Sequence, residues 1–178
     1  MQIAYLVFRF LALINATHAP AEHVLAATLA ETSQIPASLL LAQSHHESRW
    51  LPNAVSRAEQ TPTGELKRRG GVWAKPFPKY FKPPYFCGAS QIKRLTERAC
   101  RELDRALIQN YAEARDHIGA WLKYCRAKKQ PGMTCALAGY GSGVKLSATR
   151  YGLRVQRLAR FYELKIEKNL TRAQFGVL

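Results

Sequence analysis

Residues 39–56 read LLLAQSHHESRWLPNAVS, and this stretch decides how the rest of the chain is interpreted. It opens with an apolar run at 39–42, and we expect a helix that begins near Pro36 and continues to about Arg49. Pro52 lacks a backbone N–H and disfavours helix in the residue before it, so it is expected to end the helix. Glu47 then lies in the last helical turn.

Glu47 is the residue of this stretch that is best suited to chemistry. Helical spacing places it on one face with Leu40, Gln43 and Ser44. The negative C-terminal end of the helix and burial beside leucines both favour the protonated carboxyl group. A general acid needs that form near neutral pH. The alternative is a glutamate that is exposed at the helix end or paired with Arg49.

Four short blocks carry a resemblance to a known family. Residues 47–56 (ESRWLPNAVS) are similar to a Glu-Ser-aromatic-x-Pro-x-Ala-x-Ser signature, and three further blocks follow: GASQI at 88–92, IGAWL at 118–122 and AGYGSG at 138–143. The order and content of these blocks resemble those of the soluble lytic transglycosylases, relatives of goose-type lysozyme. The resemblance covers roughly residues 22–162.

The resemblance implies an all-α, lysozyme-like single domain that acts on peptidoglycan glycan strands with neither cofactor nor metal. In such an enzyme Glu47 would cleave the β-1,4 bond between N-acetylmuramic acid and N-acetylglucosamine, first as acid and then as base. The product would be a 1,6-anhydromuramoyl end. Ser48, Ser90, Gln91 and Tyr140 match substrate-binding residues of the family.

Two positions depart from the family pattern. Ser90 stands where the family usually has methionine, and Gly141 stands where it usually has asparagine. Both departures change the shape that we expect for the sugar and peptide subsites. A different activity, that of a hydrolytic lysozyme, would need a second carboxylate to hold a water molecule, and Glu59 or Glu65 could supply it.

The charge of the chain predicts a polyanionic partner. Lys and Arg number 27 against 12 acids, for a formal net charge of +15. Nucleic acid, a membrane surface and an anionic cell wall all fit that charge. A helix expected at 93–109 would align four arginines as a solvated face or a nucleic-acid contact: Arg94, Arg98, Arg101 and Arg105. No zinc-finger or RNP-type motif accompanies them, so charge alone supports the alternative of a basic nucleic-acid-binding or structural protein, and peptidoglycan is the expected partner.

The cysteines bear on the cellular location. They stand at 87, 100, 125 and 135 without a Cys-x-x-Cys pair. The even count predicts two disulfides in an oxidising compartment, with three pairings open, and the alternative is four buried thiols. A peptidoglycan substrate implies a periplasmic or extracellular protein, or one carried in a phage virion. Other proteins of a virion or secretion apparatus are then expected partners, since such machines open the wall locally.

The remaining segments set the domain limits. Residues 1–19 are apolar but too short to span a membrane comfortably, and they predict either a secretion signal or an N-terminal helix that packs on the domain. The domain is expected at 20–168, with a tail at 169–178. Helices are expected at 20–31, 36–49, 93–109, 111–128, 134–140 and 148–168.

A long insertion interrupts the family pattern at 57–87. Its prolines, glycines and mixture of aromatic and basic residues predict irregular structure beside the sugar cleft. Trp73, Tyr80 and Tyr85 are candidates to stack on sugar faces. The alternative is a loop that packs its aromatic rings on itself.

Overall fold

A computed structural model describes residues 2–51, 54–60, 66–72, 85–142 and 149–174. Within these ranges the chain is mostly helical, as predicted at that coarse level, and it also contains a small sheet. The elements in chain order are α1 Gln2–Thr17, α2 Ala21–Ala30, α3 Ala37–Ser48, β1 Ala54–Gln60, β2 Leu66–Val72, β3 Tyr85–Cys87, β4 Ile92–Arg94, α4 Glu97–Arg105, α5 Leu107–Ala127, α6 Gly132–Ser142 and α7 Thr149–Gln174.

The core is built around α3. Its first eight residues are all buried, and the helix packs against α2, α5 and α7. Leu40 and Leu41 are fully buried with Ile118 of α5 and Val155 of α7. Burial of each such side chain contributes about 1.5–3 kcal/mol, so the apolar run that opens α3 fixes this helix in the centre of the domain.

The segment at 57–87 is more regular than the sequence predicted. Strands β1 and β2 pair antiparallel from Ala54↔Val72 to Gln60↔Leu66, and the sheet has the order β2-β1-β3-β4. The prediction of irregular structure across 57–87 was therefore wrong for the part that the structure describes. Neither strand alternates apolar and polar residues, and what defines them is the ladder of backbone bonds between them, a long-range pairing that local composition does not report.

The single helix predicted at 93–109 is divided. Residues 92–94 form β4, and α4 begins only after Thr96, whose hydroxyl accepts a hydrogen bond from the Ala99 N–H at 3.1 Å. Leu95 lies between β4 and α4 and is 68% exposed. Helix α7 runs on to Gln174, so most of the predicted tail is helical. The other predicted helices correspond to α2, α3, α5 and α6.

Helix α1 packs against α7 and α2. Leu13 and Ala16 of α1 are buried, and Arg9 forms an ion pair with Glu31 at 2.9 Å. This packing is what the N-terminal-helix alternative predicted, whereas cleavage as a secretion signal stays a prediction. No helix in the described ranges is long and apolar enough to cross a membrane.

Two disulfides tie the helices to the sheet and to each other. Cys87 in β3 is bonded to Cys100 in α4, with Cα atoms 5.5 Å apart. Cys125 near the end of α5 is bonded to Cys135 in α6, with Cα atoms 6.0 Å apart. The structure thus confirms the predicted oxidation and selects one of the three pairings, which fits an oxidising compartment.

Helices α5 and α6 pack closely because one of them carries a glycine at their contact. A side chain at Gly139 would overlap the Trp121 ring, since a Cβ atom there would lie well inside contact distance of the indole carbons. A Cβ atom at Gly119 of α5 would instead meet the Ile35 Cδ1 atom at 3.7 Å, an ordinary contact.

We therefore expect Gly139→Ala to destabilise the protein by about 1–3 kcal/mol, because the indole must shift in a packed core. The matched control, Gly119→Ala, also replaces a helical glycine but has room for the methyl group, and should be neutral or gain up to about 1 kcal/mol from helix propensity. Urea unfolding measures both variants. Equal stability of the two would contradict this account of the α5–α6 contact.

Candidate functional site

Helix α3 ends in a left-handed turn of the backbone. Ser48 is the last helical residue, and Arg49 is left-handed at φ 55°, with its N–H bonded to the His45 carbonyl at 2.9 Å. Trp50 follows at φ 62°. Left-handed residues other than glycine cost about 1–3 kcal/mol each and cluster at functional sites. The helix thus ends within one residue of its predicted end, and a strained turn follows directly after Glu47 and Ser48.

An aromatic stack between Trp50 and His45 holds the strained turn against α3. The Trp50 ring lies on the His45 ring, with centroids 4.3 Å apart, and the Trp50 Nε1–H donates to the Leu41 carbonyl at 3.0 Å. His45 Nδ1 lies 3.1 Å from the Tyr162 hydroxyl. Burial, followed by the nearby charge of Arg49, lowers the pKa of His45, and burial raises the pKa of Tyr162 to about 12. At neutral pH the histidine is therefore neutral and the tyrosine keeps its proton, and the two share a hydrogen bond whose direction depends on the histidine tautomer.

Glu47 is held by a tyrosine of the last helix. The Tyr151 hydroxyl donates to Glu47 Oε1 at 2.7 Å, and both side chains are partly buried. Burial and the nearby Glu47 carboxylate raise the pKa of Tyr151 well above its ordinary value. The phenol therefore keeps its proton at any ordinary pH and remains a donor. The His46 and Tyr151 rings pack nearly perpendicular to each other, with centroids 4.8 Å apart.

Gly141 leaves room for the Tyr151 ring. A Cβ atom at Gly141 would lie 3.1 Å from Tyr151 Cδ1, which is tighter than ordinary packing. Gly141 was predicted only as a departure from the family asparagine, and Tyr151 was missed altogether. The glycine was the available signal, since a missing side chain allows another group to approach closely.

The turn at 88–91, between β3 and β4, is bonded to three helices. The Ser90 carbonyl accepts from the Tyr140 hydroxyl at 2.5 Å and from Gln43 Nε2 at 3.3 Å. The Ser90 N–H donates to Asn110 Oδ1 at 3.0 Å. The backbone of a single residue, Ser90, therefore joins α3, α5 and α6. Asn110 and Gln43, which sequence reasoning did not place in the site, belong to this junction.

The neighbouring carbonyl, that of Ala89, binds the same turn to the end of α3. It accepts from the Ser48 hydroxyl at 2.8 Å and from the Ser44 hydroxyl at 3.3 Å. Ser48 also accepts from the Leu51 N–H at 3.2 Å. The hydroxyl predicted to bind substrate thus connects the helix end to the turn, and a substrate contact by Ser48 stays a prediction.

Gln91 has a similar structural role. It is buried, adopts a left-handed φ of 53°, and its Nε2 donates to the carbonyls of Ala54 at 3.0 Å and Gly88 at 2.9 Å. Its amide nitrogen closes the turn and attaches it to the first residue of β1. A substrate contact by the rest of this side chain stays a prediction.

Three buried side-chain atoms at the Ser90 junction have no hydrogen-bond partner in the described part of the chain. They are Gln43 Oε1, Ser90 Oγ and Asn110 Nδ2. Such groups cost about 1–3 kcal/mol each, so their concentration around one residue is unusual for a purely structural junction. Ser90 itself is fully buried, which does not fit the predicted contact between its side chain and a sugar. Tyr140, in contrast, is only partly buried.

The aromatic candidates of the insertion divide into two groups. Tyr85 lies in β3, is 8% exposed and belongs to the hydrophobic core, so its predicted stacking on a sugar was wrong. Trp73 and Tyr80 lie outside the described residues. The same holds for Glu65 and for the side chain of Glu59, the two carboxylates considered for a hydrolytic mechanism.

The predicted arginine stripe does not form a single helix face. Arg94 lies in β4, before the helix, and its guanidinium is bound to the Glu113 carboxylate at 2.5 Å. Arg98 is exposed and pairs with Glu102 one turn later at 2.8 Å. The reason is the division of the 93–109 segment, which separates the first arginine from the others.

No group of three or more potential metal ligands is present among the described residues. Comparison of the chain with family models, with curated proteins and with solved structures finds no match. The interpretation of the site therefore depends on its own geometry.

Proposed function

We propose that this protein is a lytic transglycosylase of peptidoglycan, with a lysozyme-like fold and Glu47 as its single acid and base. One observation carries the proposal. The blocks near residues 47, 90, 120 and 140 are far apart in sequence, yet contacts join each block to the next, beginning at Ser48 beside Glu47. Ser48 bonds to the 88–91 turn, Tyr140 bonds to the Ser90 carbonyl, and Gly139 packs against Trp121.

The proposed reaction needs one carboxyl group in two protonation states. Glu47 gives its proton to the glycosidic oxygen between N-acetylmuramic acid and N-acetylglucosamine. The N-acetyl group of the muramic sugar assists departure of the N-acetylglucosamine. The Glu47 carboxylate then takes the proton of the C6 hydroxyl of the same sugar. That hydroxyl closes the 1,6-anhydro ring without water, and attack by a group already held in place is entropically favoured.

Tyr151 serves this reaction by orienting Glu47. Because its hydroxyl donates to Oε1 at 2.7 Å, the transferable proton is favoured on Oε2. The same hydrogen bond stabilises the carboxylate that forms when the proton leaves. The strained turn at Arg49 and the buried α3 hold the backbone of Glu47 in place.

The disulfides and the net charge of the chain support the same proposal. Two disulfides fit a protein that works outside the cytoplasm, where peptidoglycan is found. A formal net charge of +15 favours attraction to an anionic wall. We propose that the protein opens the wall locally for a phage particle or an envelope-spanning apparatus, whose proteins would be its partners.

Glu47→Gln tests the central residue. The amide still accepts a hydrogen bond from Tyr151 but cannot give up and recover a proton, so digestion of purified peptidoglycan should slow by about 10²–10⁴-fold or more. Folding stability should change little. Glu102→Gln, an exposed glutamate paired with Arg98, is the matched control and should keep full activity. A Glu47→Gln variant that digests peptidoglycan at the wild-type rate would refute the proposal.

Tyr151→Phe tests the orienting hydrogen bond. The ring remains, the donor is lost, and a hydrogen bond to a charged group is worth about 1.5–3 kcal/mol, so kcat should fall about 10–100-fold with KM nearly unchanged. Tyr124→Phe, at a position 40% exposed on α5, is the control. An unchanged kcat for Tyr151→Phe would show that the contact is structural only.

A further inference from the structure

Helix α7 has one face in the core and another in solvent. Gly152, Val155, Ala159, Tyr162 and Ile166 are buried and recur at helical spacing. The opposite face is open, yet it carries three large apolar side chains: Leu153 is 40% exposed, Phe161 50% and Leu164 49%. Exposed apolar groups in one place mark interaction sites more often than scattered ones do.

The same face is strongly basic. Arg150, Arg154, Arg157, Arg160 and Lys168 are all exposed. At 3.6 residues per turn, these five and the three apolar residues fall within about 120° of arc. We call these eight residues the outer face of α7. It runs along a helix of 26 residues, about 39 Å at 1.5 Å per residue.

Acids in this part of the helix neutralise little of the charge. Glu167 is exposed and lies 3.6 Å from Arg160, so it offsets one cation. Glu163 is turned inward and accepts a hydrogen bond from Ser38. Lys165 Nζ lies 4.7 Å from the centre of the Phe161 ring and adds a further cation beside the apolar residues.

We propose that the outer face of α7 is a peripheral binding surface for anionic lipid headgroups. The cations match lipid phosphates, and the leucines and the phenylalanine match the boundary between headgroups and acyl chains, where an amphipathic helix lies in the plane of the membrane. A nucleic acid would use the cations but leave Leu153, Phe161 and Leu164 in water.

The neighbouring helix supports a membrane as the occupant. Helix α1 packs against α7 and exposes Val7, Phe8 and Leu11 at 50%, 54% and 49%. Its Arg9 is already paired with Glu31. Exposed apolar groups thus extend beyond α7 itself. Surface binding by these helices requires no spanning segment, and it is independent of the chemistry proposed for Glu47.

Co-sedimentation of the full chain with lipid vesicles tests the proposal. Vesicles of phosphatidylcholine mixed with phosphatidylglycerol should bind the protein, whereas vesicles of phosphatidylcholine alone should not. Binding should weaken as salt is added, because the charges are exposed. Since no wall material is present, the result does not depend on the proposed enzymatic activity.

Two triple variants separate the outer face from the charge of the whole protein. Arg154→Gln with Arg157→Gln and Lys168→Gln should weaken binding on the order of 100-fold, since each cation near an anionic surface contributes about fivefold. Lys123→Gln with Lys128→Gln and Lys129→Gln removes the same charge from exposed positions around the end of α5, and should change binding far less.

The apolar half of the surface has its own variant, Phe161→Ser with Leu164→Ser, which should also weaken vesicle binding. All of these positions are solvent-exposed, and circular dichroism checks that each variant folds. Equal loss in both triple variants, unchanged binding in the serine variant, or equal binding to both vesicle types would overturn the proposal. The proposal would also be overturned if the triple variant of Arg154, Arg157 and Lys168 bound duplex DNA more weakly than the wild type but bound vesicles equally well.

Discussion

The hydrogen bond from the Tyr151 hydroxyl to Glu47 Oε1, at 2.7 Å, is the contact on which the site depends. It joins the end of α3 to the start of α7, two helices that also pack together in the core. Gly141 leaves room for it, because a Cβ atom there would lie 3.1 Å from Tyr151 Cδ1 and would require the ring to shift. Burial keeps the proton on the phenol, so the donor is available whatever the state of Glu47.

The second constraint is the turn at 88–91. Its two central carbonyls collect hydrogen bonds from Gln43, Ser44, Ser48 and Tyr140, which come from α3 and α6. The disulfide from Cys87 to Cys100 fixes the strand that leads into this turn. A site assembled in this way is held through backbone carbonyls, and the polar side chains that bind them connect α3 and α6 to the turn.

The sequence predicted the parts of this site that are encoded locally. An apolar run followed by a helix end placed Glu47 in the last turn of a buried helix, and the structure confirms that position. It did not predict the left-handed Arg49 and Trp50, because a nearby proline offered a simpler reason for the helix to end. Tyr151 was missed because its contact with Glu47 spans more than a hundred residues and follows from how α7 packs.

The basic surfaces of the protein were also difficult to predict from the sequence. Spacing alone predicted an arginine stripe at 94–105, but β4 takes Arg94 out of that helix. The basic outer face of α7 became visible only when burial of Val155, Ala159 and Tyr162 fixed which side of the helix faces solvent. Similarly, β1 and β2 are defined by their mutual pairing, and neither strand has the apolar–polar alternation that predicts a strand from sequence.

The most direct test of the account is mass analysis of the fragments that the purified protein releases from peptidoglycan. A single carboxyl group acting as acid and then as base predicts fragments that end in 1,6-anhydromuramic acid, with no water added across the cleaved bond. Fragments with reducing ends would instead show hydrolysis by a second carboxylate. Release of no fragments at all would contradict the proposed function itself.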